Sequence, residues 1–485
     1  MNDRKTTMAH SIGLRQLSLC AALLAGLPVV LHAEGASFGG LEAETLVNAA
    51  SSTALVLKDA GLSGGAGVRF GRKSGAKQPA EGEAPALSLT FKKNAREPFL
   101  LWARLLAPNS GTDSLWIREG KGELKMISLK AESGWRWVVL WQTRSRATDI
   151  DLQLFPRESG FALDRFVATS DTLATPHGVL GGLQTTLPDL RSSFPKPPIL
   201  PPAEHPRVYL RQAHLPMIRE RAKHPRLAEE YTLLKRIADR EWDGTFPEPG
   251  TPEGGNYHRR YLSIIEANAF LYLLEEDDER GRRAVVMLQK ALNTVVVADR
   301  HDVTRDYGRI IFCCAVIYDW CYPFTDEAWR KAVLKHMIGF AKMTEIGFPP
   351  KGQGTVTGHG SEAQLMREQL AAGIAVYDEY PDWYLFGAGR FFAEYVPARN
   401  MYFQAHRQHQ GDSYGWSRFR WSMYATFLMD RLGAGQVFDS AQSQIPYSWV
   451  YMRRGDGQFL RDGDTFASGD YWMYPQGAMM VASYY

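Results

Sequence analysis

The feature that most constrains this chain is "SFPKPPILPPAEHP" at residues 193–206. Proline fixes φ and removes a backbone donor, so neither a helix nor a central strand can run through such a stretch. Its composition predicts an extended, semi-rigid connector. The apolar residues follow different periods on its two sides, which places a domain boundary within it. We therefore expect a β domain over residues 34–172, a proline-rich linker over 173–206 and a helical domain over 207–485.

The β expectation rests on "ALSLTFKK", "PFLLWARLL", "DSLWIRE", "RWVVLWQT" and "IDLQLFPR". These short runs are branched, aromatic or alternating, and Gly, Asn, Asp and Ser separate them. Several strands at close spacing predict a jelly-roll-like β-sandwich. The segment ends in "RESGFALDRFVATSD" (157–171). That run resembles the last strands of carbohydrate-binding-module-like jelly rolls, in which a short xxDRxxxTSD pattern is common.

After the prolines the period changes. "YHRRYLSIIEANAFLYLLEED", "GRRAVVMLQKALNTVVV" and "YGRIIFCCAVIYDWCY" place apolar residues three and four apart. "TDEAWRKAVLKHMIGFAKM" opens with Thr325 or Asp326 as an N-cap and Glu327 in the first turn. Eight or so antiparallel helices predict an (α/α) toroid. The lack of a fixed short period argues against a repeat array.

The formal charge of +3 gives no basic face of the kind nucleic acid needs. Residues 1–33 read as a secretory signal: Arg4, Lys5 and Arg15 precede or flank the apolar run "LSLCAALLAGLPVVL", which is short for a membrane span. Cleavage after Ala33 predicts a periplasmic or secreted protein with no stable membrane insertion. Cys313, Cys314 and Cys321 remain, with no disulfide framework or zinc spacing, so buried free thiols are expected. Thirteen tryptophans and 21 tyrosines offer flat apolar faces with polar handles, suited to sugar rings, although a large core accounts for most of them.

Two loop-to-helix entries carry chemistry. In "GHGSEAQLMREQL", His359 lies between Gly358 and Gly360, three residues before Glu362. Ser361 as N-cap and Glu362 at the positive helix end explain those two locally. An imidazole between two glycines fits a loop that approaches a ligand closely. In "RQHQGDSYGWSRFRW", His409, Asp412, Tyr414, Trp416 and Arg418 fall within ten residues. An N-cap explains Asp412 or Ser413 but not Tyr414 or Arg418.

These two motifs, "GHGSE" at 358–362 and "GDSYGWSR" at 411–418, resemble the heparinase II/III group of polysaccharide lyases, over roughly residues 200–485. The resemblance implies a secreted lyase that cleaves an acidic, uronate-containing polysaccharide by β-elimination. It implies Tyr414 as general acid and as base, His359 on the carboxylate side and Glu362, protonated, paired with the carboxylate. Arg418, one turn beyond Tyr414, would supply positive charge. Asn268, His409 and Trp416 would contact substrate. Tyrosine suits proton transfer when nearby positive charge favours its phenolate. No metal ligands or cofactor are expected here. The family's further histidine, and zinc in some members, belong to a β-sheet part after the toroid. The chain stops at "YPQGAMMVASYY" inside a helical pattern, which reads as a fragment ending before that part.

Two other readings stand beside the lyase. One is a glycan-binding protein without catalysis. The other is a glycoside hydrolase on the same toroid, with Glu362 and Asp412 as paired carboxylates.

Overall fold

The computed structural model describes residues 30–31, 37–51, 53–71, 78–95, 97–143, 147–190, 194–246, 257–295, 303–344, 346, 348, 361–407, 414–458, 460 and 475–485. The chain divides into two compact units, Met1–Leu187 and Pro188–Tyr485. The first is built of strands and the second of helices.

In the first unit, one sheet runs in the order β1 (Val30–Leu31), β5 (Leu87–Lys92), β10 (Asp149–Pro156), β7 (Ser114–Glu119) and β8 (Leu124–Ser128). The other runs β3 (Ala54–Lys58), β4 (Ala66–Phe70), β11 (Ala162–Thr169), β6 (Phe99–Ala107) and β9 (Glu132–Thr143), with β2 (Ser37–Glu42) also on β11. Alternation does the work that period-2 patterning requires. Leu87, Leu89 and Phe91 of one sheet and Phe99, Leu101 and Leu105 of the other share one buried core. Phe91 and Phe99 meet with ring centroids 5.2 Å apart. β1 falls inside the stretch expected to be cleaved, and here it pairs in parallel with β5.

The "DR" of the jelly-roll motif has a structural job. Asp164 is fully buried; its Oδ1 accepts from the Ser63 backbone N–H at 2.8 Å, and its Oδ2 pairs with Arg104. Arg165 pairs with Glu42 on β2 and donates to Ser63 Oγ at 3.1 Å. The motif thus ties β11 to β2, to β6 and to the turn at Ser63.

The expected linker over 173–206 is corrected on two counts. Ala174–His177 and Gly182–Thr185 pair as a β-hairpin, β12 and β13. Its turn needs Gly181, whose φ is +69° and whose missing Cβ would stand 2.6 Å from the Trp137 ring. Trp137 Nε1 donates to Gly178 O at 2.8 Å. The proline-rich stretch that follows is tied to helices of the second unit. Tyr384 Oη donates to Ile199 O at 2.8 Å, Arg207 Nη1 donates to Pro202 O at 2.7 Å, and Phe194 meets Phe386 edge-on at 5.6 Å. Proline has no N–H to give to a ladder, and here tyrosine and arginine side chains satisfy the Ile199 and Pro202 carbonyls of this segment.

Helices Tyr257–Glu275, Asp278–Thr294, Val303–Trp320 and Glu327–Lys342 follow the apolar periods. Of the two N-cap candidates before the last of them, Asp326 caps it, accepting from Trp329 N at 2.7 Å. Tyr257–Glu275 packs on both Asp278–Thr294 and Val303–Trp320, and Val303–Trp320 packs on Glu327–Lys342 and Leu370–Ala375. Gly433, with φ +97°, ends the helix Gly415–Leu432 in a left-handed cap. Cys313, Cys314 and Cys321 are buried free thiols. Among the described residues, no helix is long and apolar enough to cross a membrane.

Candidate functional site

The helix that begins at Ser361–Ala363 widens to a π segment at Gln364–Gln369 and resumes at Leu370–Ala375. A second π segment, Phe391–Tyr395, lies between Pro381–Arg390 and Val396–Phe403. Such widenings are rare and recur at functional sites. Glu362 stands just before the first, and Arg399 one turn after the second.

Glu362 is in the first turn, as the sequence suggests, but its carboxylate serves tertiary structure. Oε1 accepts from Arg399 Nη2 at 2.8 Å, and both side chains are 0% exposed. Oε2 lies 3.8 Å from Arg418 Nη1. Burial pushes the Glu362 carboxyl above the usual carboxylate value, and the Arg399 and Arg418 charges oppose that rise. Burial likewise lowers Arg399, with Glu362 pulling it back up. Glu362, expected to pair with a uronate carboxylate, has a side chain with no exposure and stands between two guanidinium groups.

Tyr414 is the N-cap residue of Gly415–Leu432 and is partly exposed. Arg418 follows one turn later, and its guanidinium carbon lies 4.6 Å from the Tyr414 ring centroid. A chain of contacts thus runs from the tyrosine through Arg418 and Glu362 to Arg399, which in turn lies 5.4 Å from the Tyr395 ring. Tyr414, partly exposed, stands at one end of a buried charge network. This arrangement can move a proton at Tyr414 Oη while a fixed cation meets charge developing on the ring.

Asn268 is corrected as a substrate contact. It is fully buried, and its Nδ2 donates to Ala238 O at 3.0 Å and Ile264 O at 2.9 Å. It ties helix Tyr257–Glu275 to the end of helix Ala228–Ala238. His359, His409 and Asp412 lie outside the described residues, as does the side chain of Trp416. Among the described residues, no group of three or more His, Cys, Asp or Glu could hold a metal ion.

Sequence reasoning missed Arg399. Its signal is an arginine at a helix position surrounded by Val396, Tyr402 and Phe403, since an interior arginine requires an acid. It also missed Asp319, fully buried, which accepts from the backbone N–H groups of Arg207 at 2.8 Å and Val208 at 2.7 Å. The same carboxylate lies 2.7 Å from His205 Nδ1.

No protein-family model matches the chain, and no curated protein matches it. Solved structures of limited likeness include a carbohydrate-binding module of Cellvibrio mixtus lichenase 5A in complex with cellotriose. It is 18% identical, with a TM-score of 0.21, over 27% of this chain and 95% of that one. A family 35 carbohydrate-binding module from Clostridium thermocellum is 14% identical, with a TM-score of 0.20, over 27% of this chain and 97% of that one. An exo-β-1,3-galactanase from Phanerochaete chrysosporium with β-1,3-galactotriose is 13% identical, with a TM-score of 0.20, over 28% of this chain and 30% of that one. This chain thus spans less than a third of the galactanase structure.

Proposed function

We propose that this protein acts on uronate-containing polysaccharides, and that its helical unit, read as an (α/α) toroid, carries a β-elimination site centred on Tyr414. The observation that carries this reading is the Arg418 guanidinium 4.6 Å from the Tyr414 ring, anchored from behind by the buried Glu362–Arg399 pair. Tyr414 removes H5 of the uronate or protonates the departing O4. The C5–H bond and the C4–O4 bond break, a C4–C5 double bond forms, and the proton ends on O4. In a gluco-configured uronate both groups lie on one face, so one tyrosine serves both steps. His359, from its place three residues before Glu362, is assigned to the uronate carboxylate. The basic start and apolar run of residues 1–33 support export, so the substrate is met outside the cytoplasm.

The test is ultraviolet absorbance of the unsaturated uronate product from a panel of uronate polysaccharides. Tyr414→Phe should lower the rate by ~10²–10⁴-fold and leave the fold intact. Elimination that survives the substitution removes Tyr414 from the chemistry.

A second reading, glycan binding without elimination, draws on the strand unit. Trp135 of β9 is partly exposed with the Arg104 guanidinium carbon 5.5 Å from its ring, a pairing suited to stacking a sugar. Retention on an immobilised polysaccharide with no unsaturated product would favour it.

A further inference from the structure

Tyr209 holds a backbone conformation that bulky side chains avoid: its φ is +61°. The segment before it is pinned on every side. Asp319 Oδ2 accepts from Arg207 N at 2.8 Å and Val208 N at 2.7 Å, and Trp320 Nε1 donates to Val208 O at 2.8 Å. The fully buried Arg207 side chain donates to Ile374 O at 2.9 Å and Ala375 O at 3.1 Å. Strain that over-determined surroundings hold in place recurs at ligand clamps. Here it sets the Tyr209 ring 6.0 Å from Phe312 and 6.2 Å from Tyr424. These three residues are partly exposed. The Tyr209 Oη itself is buried and has no hydrogen-bond partner among the described residues.

A second unmet group stands by the same phenylalanine. Glu368, in the π segment Gln364–Gln369, is 2% exposed. Its Oε1 accepts from Arg367 Nε at 2.7 Å, while its Oε2 is buried with no partner among the described residues. Helix Val303–Trp320 carries Gly308 where Glu368 packs: a Cβ there would stand 2.8 Å from Glu368 Cδ. Phe312 lies one turn beyond Gly308 on the same face of that helix. The Arg367 guanidinium carbon is 5.5 Å from the Phe312 ring. Tyr209 and Glu368 thus meet at Phe312 by ring and backbone distances. Burial keeps the Tyr209 phenol protonated, well above its usual value, so its Oη is a standing donor. Burial also raises the Glu368 carboxyl, and the Arg367 charge opposes that rise. When charged, this carboxyl repels an anionic substituent. In either state its Oε2 can meet a hydroxyl, which also accepts from a phenol.

We propose that Tyr209 Oη and Glu368 Oε2, walled by Phe312 and Tyr424, form a subsite for an uncharged sugar residue, so that the glycan taken is one in which uronate alternates with a neutral sugar. A hydroxyl of that sugar reaches the two oxygens as the partly exposed rings of Phe312 and Tyr424 part. Tyr424 follows Tyr414 on helix Gly415–Leu432 by roughly 15 Å of helix. A glycan lying along that helix from Tyr414 therefore passes the subsite. The inference rests on reading the helical unit as glycan-acting, but it does not depend on elimination.

The experiment uses full-length protein carrying Tyr414→Phe, so that no glycan is consumed. Calorimetry would measure binding of hyaluronan, unsulfated chondroitin and unsulfated heparan oligosaccharides, in which uronate alternates with an uncharged amino sugar. Alginate oligosaccharides of equal length, in which every unit is a uronate, are the comparison. At least one alternating glycan should bind more tightly than alginate. Adding Tyr209→Phe, which removes only Oη, should weaken that binding about three- to tenfold. The melting temperature of the Tyr209→Phe protein should equal or exceed that of its parent, because an unpartnered buried donor is lost. Unchanged affinity on that substitution, or alginate bound as tightly as every alternating glycan, overturns the subsite. Weaker binding with a lower melting temperature would mark a structural phenol and overturn it as well. If no glycan binds even before Tyr209 is changed, the glycan-acting reading of the helical unit falls and takes the subsite with it. Tyr209-dependent binding with no unsaturated product from protein that retains Tyr414 would sink elimination and leave the subsite standing.

Discussion

Arg399 Nη2 donates to Glu362 Oε1 at 2.8 Å, and neither side chain is exposed to solvent. A buried ion pair is costly to break from one side. Glu362→Ala leaves the Arg399 charge buried without its carboxylate and should cost about 3–5 kcal/mol. Replacing both partners, Glu362→Leu with Arg399→Met, should recover most of that loss, because apolar residues of similar volume substitute well for a buried pair. Urea denaturation of the two variants checks this. A single substitution costing less than about 1 kcal/mol would mean that the pair holds nothing in place.

The same carboxyl sets a pH dependence. Its folded value is raised above its ordinary 4.5, with burial as the largest cause. Above pH 4.5 the folded state then holds a proton that the unfolded state has lost. Stability falls as pH rises wherever the folded state binds more protons. The contribution of Glu362 is thus fully present below pH 4.5 and is lost as pH climbs through the raised folded value. Glu362→Gln cannot titrate, so the stability gap between parent and variant should change over that window and be flat below it. A gap that instead moves in the parent's favour as pH rises would reverse the sign of the shift.

The cysteines make a third prediction. Cys313, Cys314 and Cys321 are buried, and burial pushes the Cys313 and Cys321 thiols well above the usual value. The thiolate is the reactive form, so all three should resist alkylation in the native state and react once denaturant is added. Peptide mapping after iodoacetamide treatment resolves each site. Modification of Cys321 at the rate of an exposed thiol would contradict its placement.

The sequence was most informative where one face of an element is buried. β5 alternates between core and outside along its length, as do the later part of β6 and the first part of β10, and their strings were readable. β3 and β8 were not, because they are largely exposed edges: Leu55 and Val56 are 56% and 52% exposed, so no buried face imposed a pattern. The hairpin of β12 and β13 is written "ATPH" and "GLQT", with a proline in one arm and no apolar alternation. It is fixed by Trp137 from another strand, which local pattern cannot reveal. The contact between Tyr414 and Arg418 was legible because a spacing of four puts them on one helix face. Arg399 was not, since it reaches Glu362 across 37 residues of sequence. Asn268 misled for a related reason: a polar residue in an apolar helix signals a partner, and only the tertiary structure names it as the Ala238 carbonyl.

Arg418 separates orientation from charge at the proposed site. It lies 4.6 Å from the Tyr414 ring and 3.8 Å from Glu362, with a side chain only 5% exposed. A group that assists proton transfer without holding the sugar should change kcat more than KM. Arg418→Gln removes the charge and should depress kcat toward the level of Tyr414→Phe, while KM stays within about threefold of the parent. Arg418→Lys keeps the charge but loses the planar stack and the forked donors, so it should fall between the two. Thermal denaturation would show whether either variant remains folded. If KM rises while kcat holds, Arg418 binds substrate directly, and Tyr414 would need another source of positive charge.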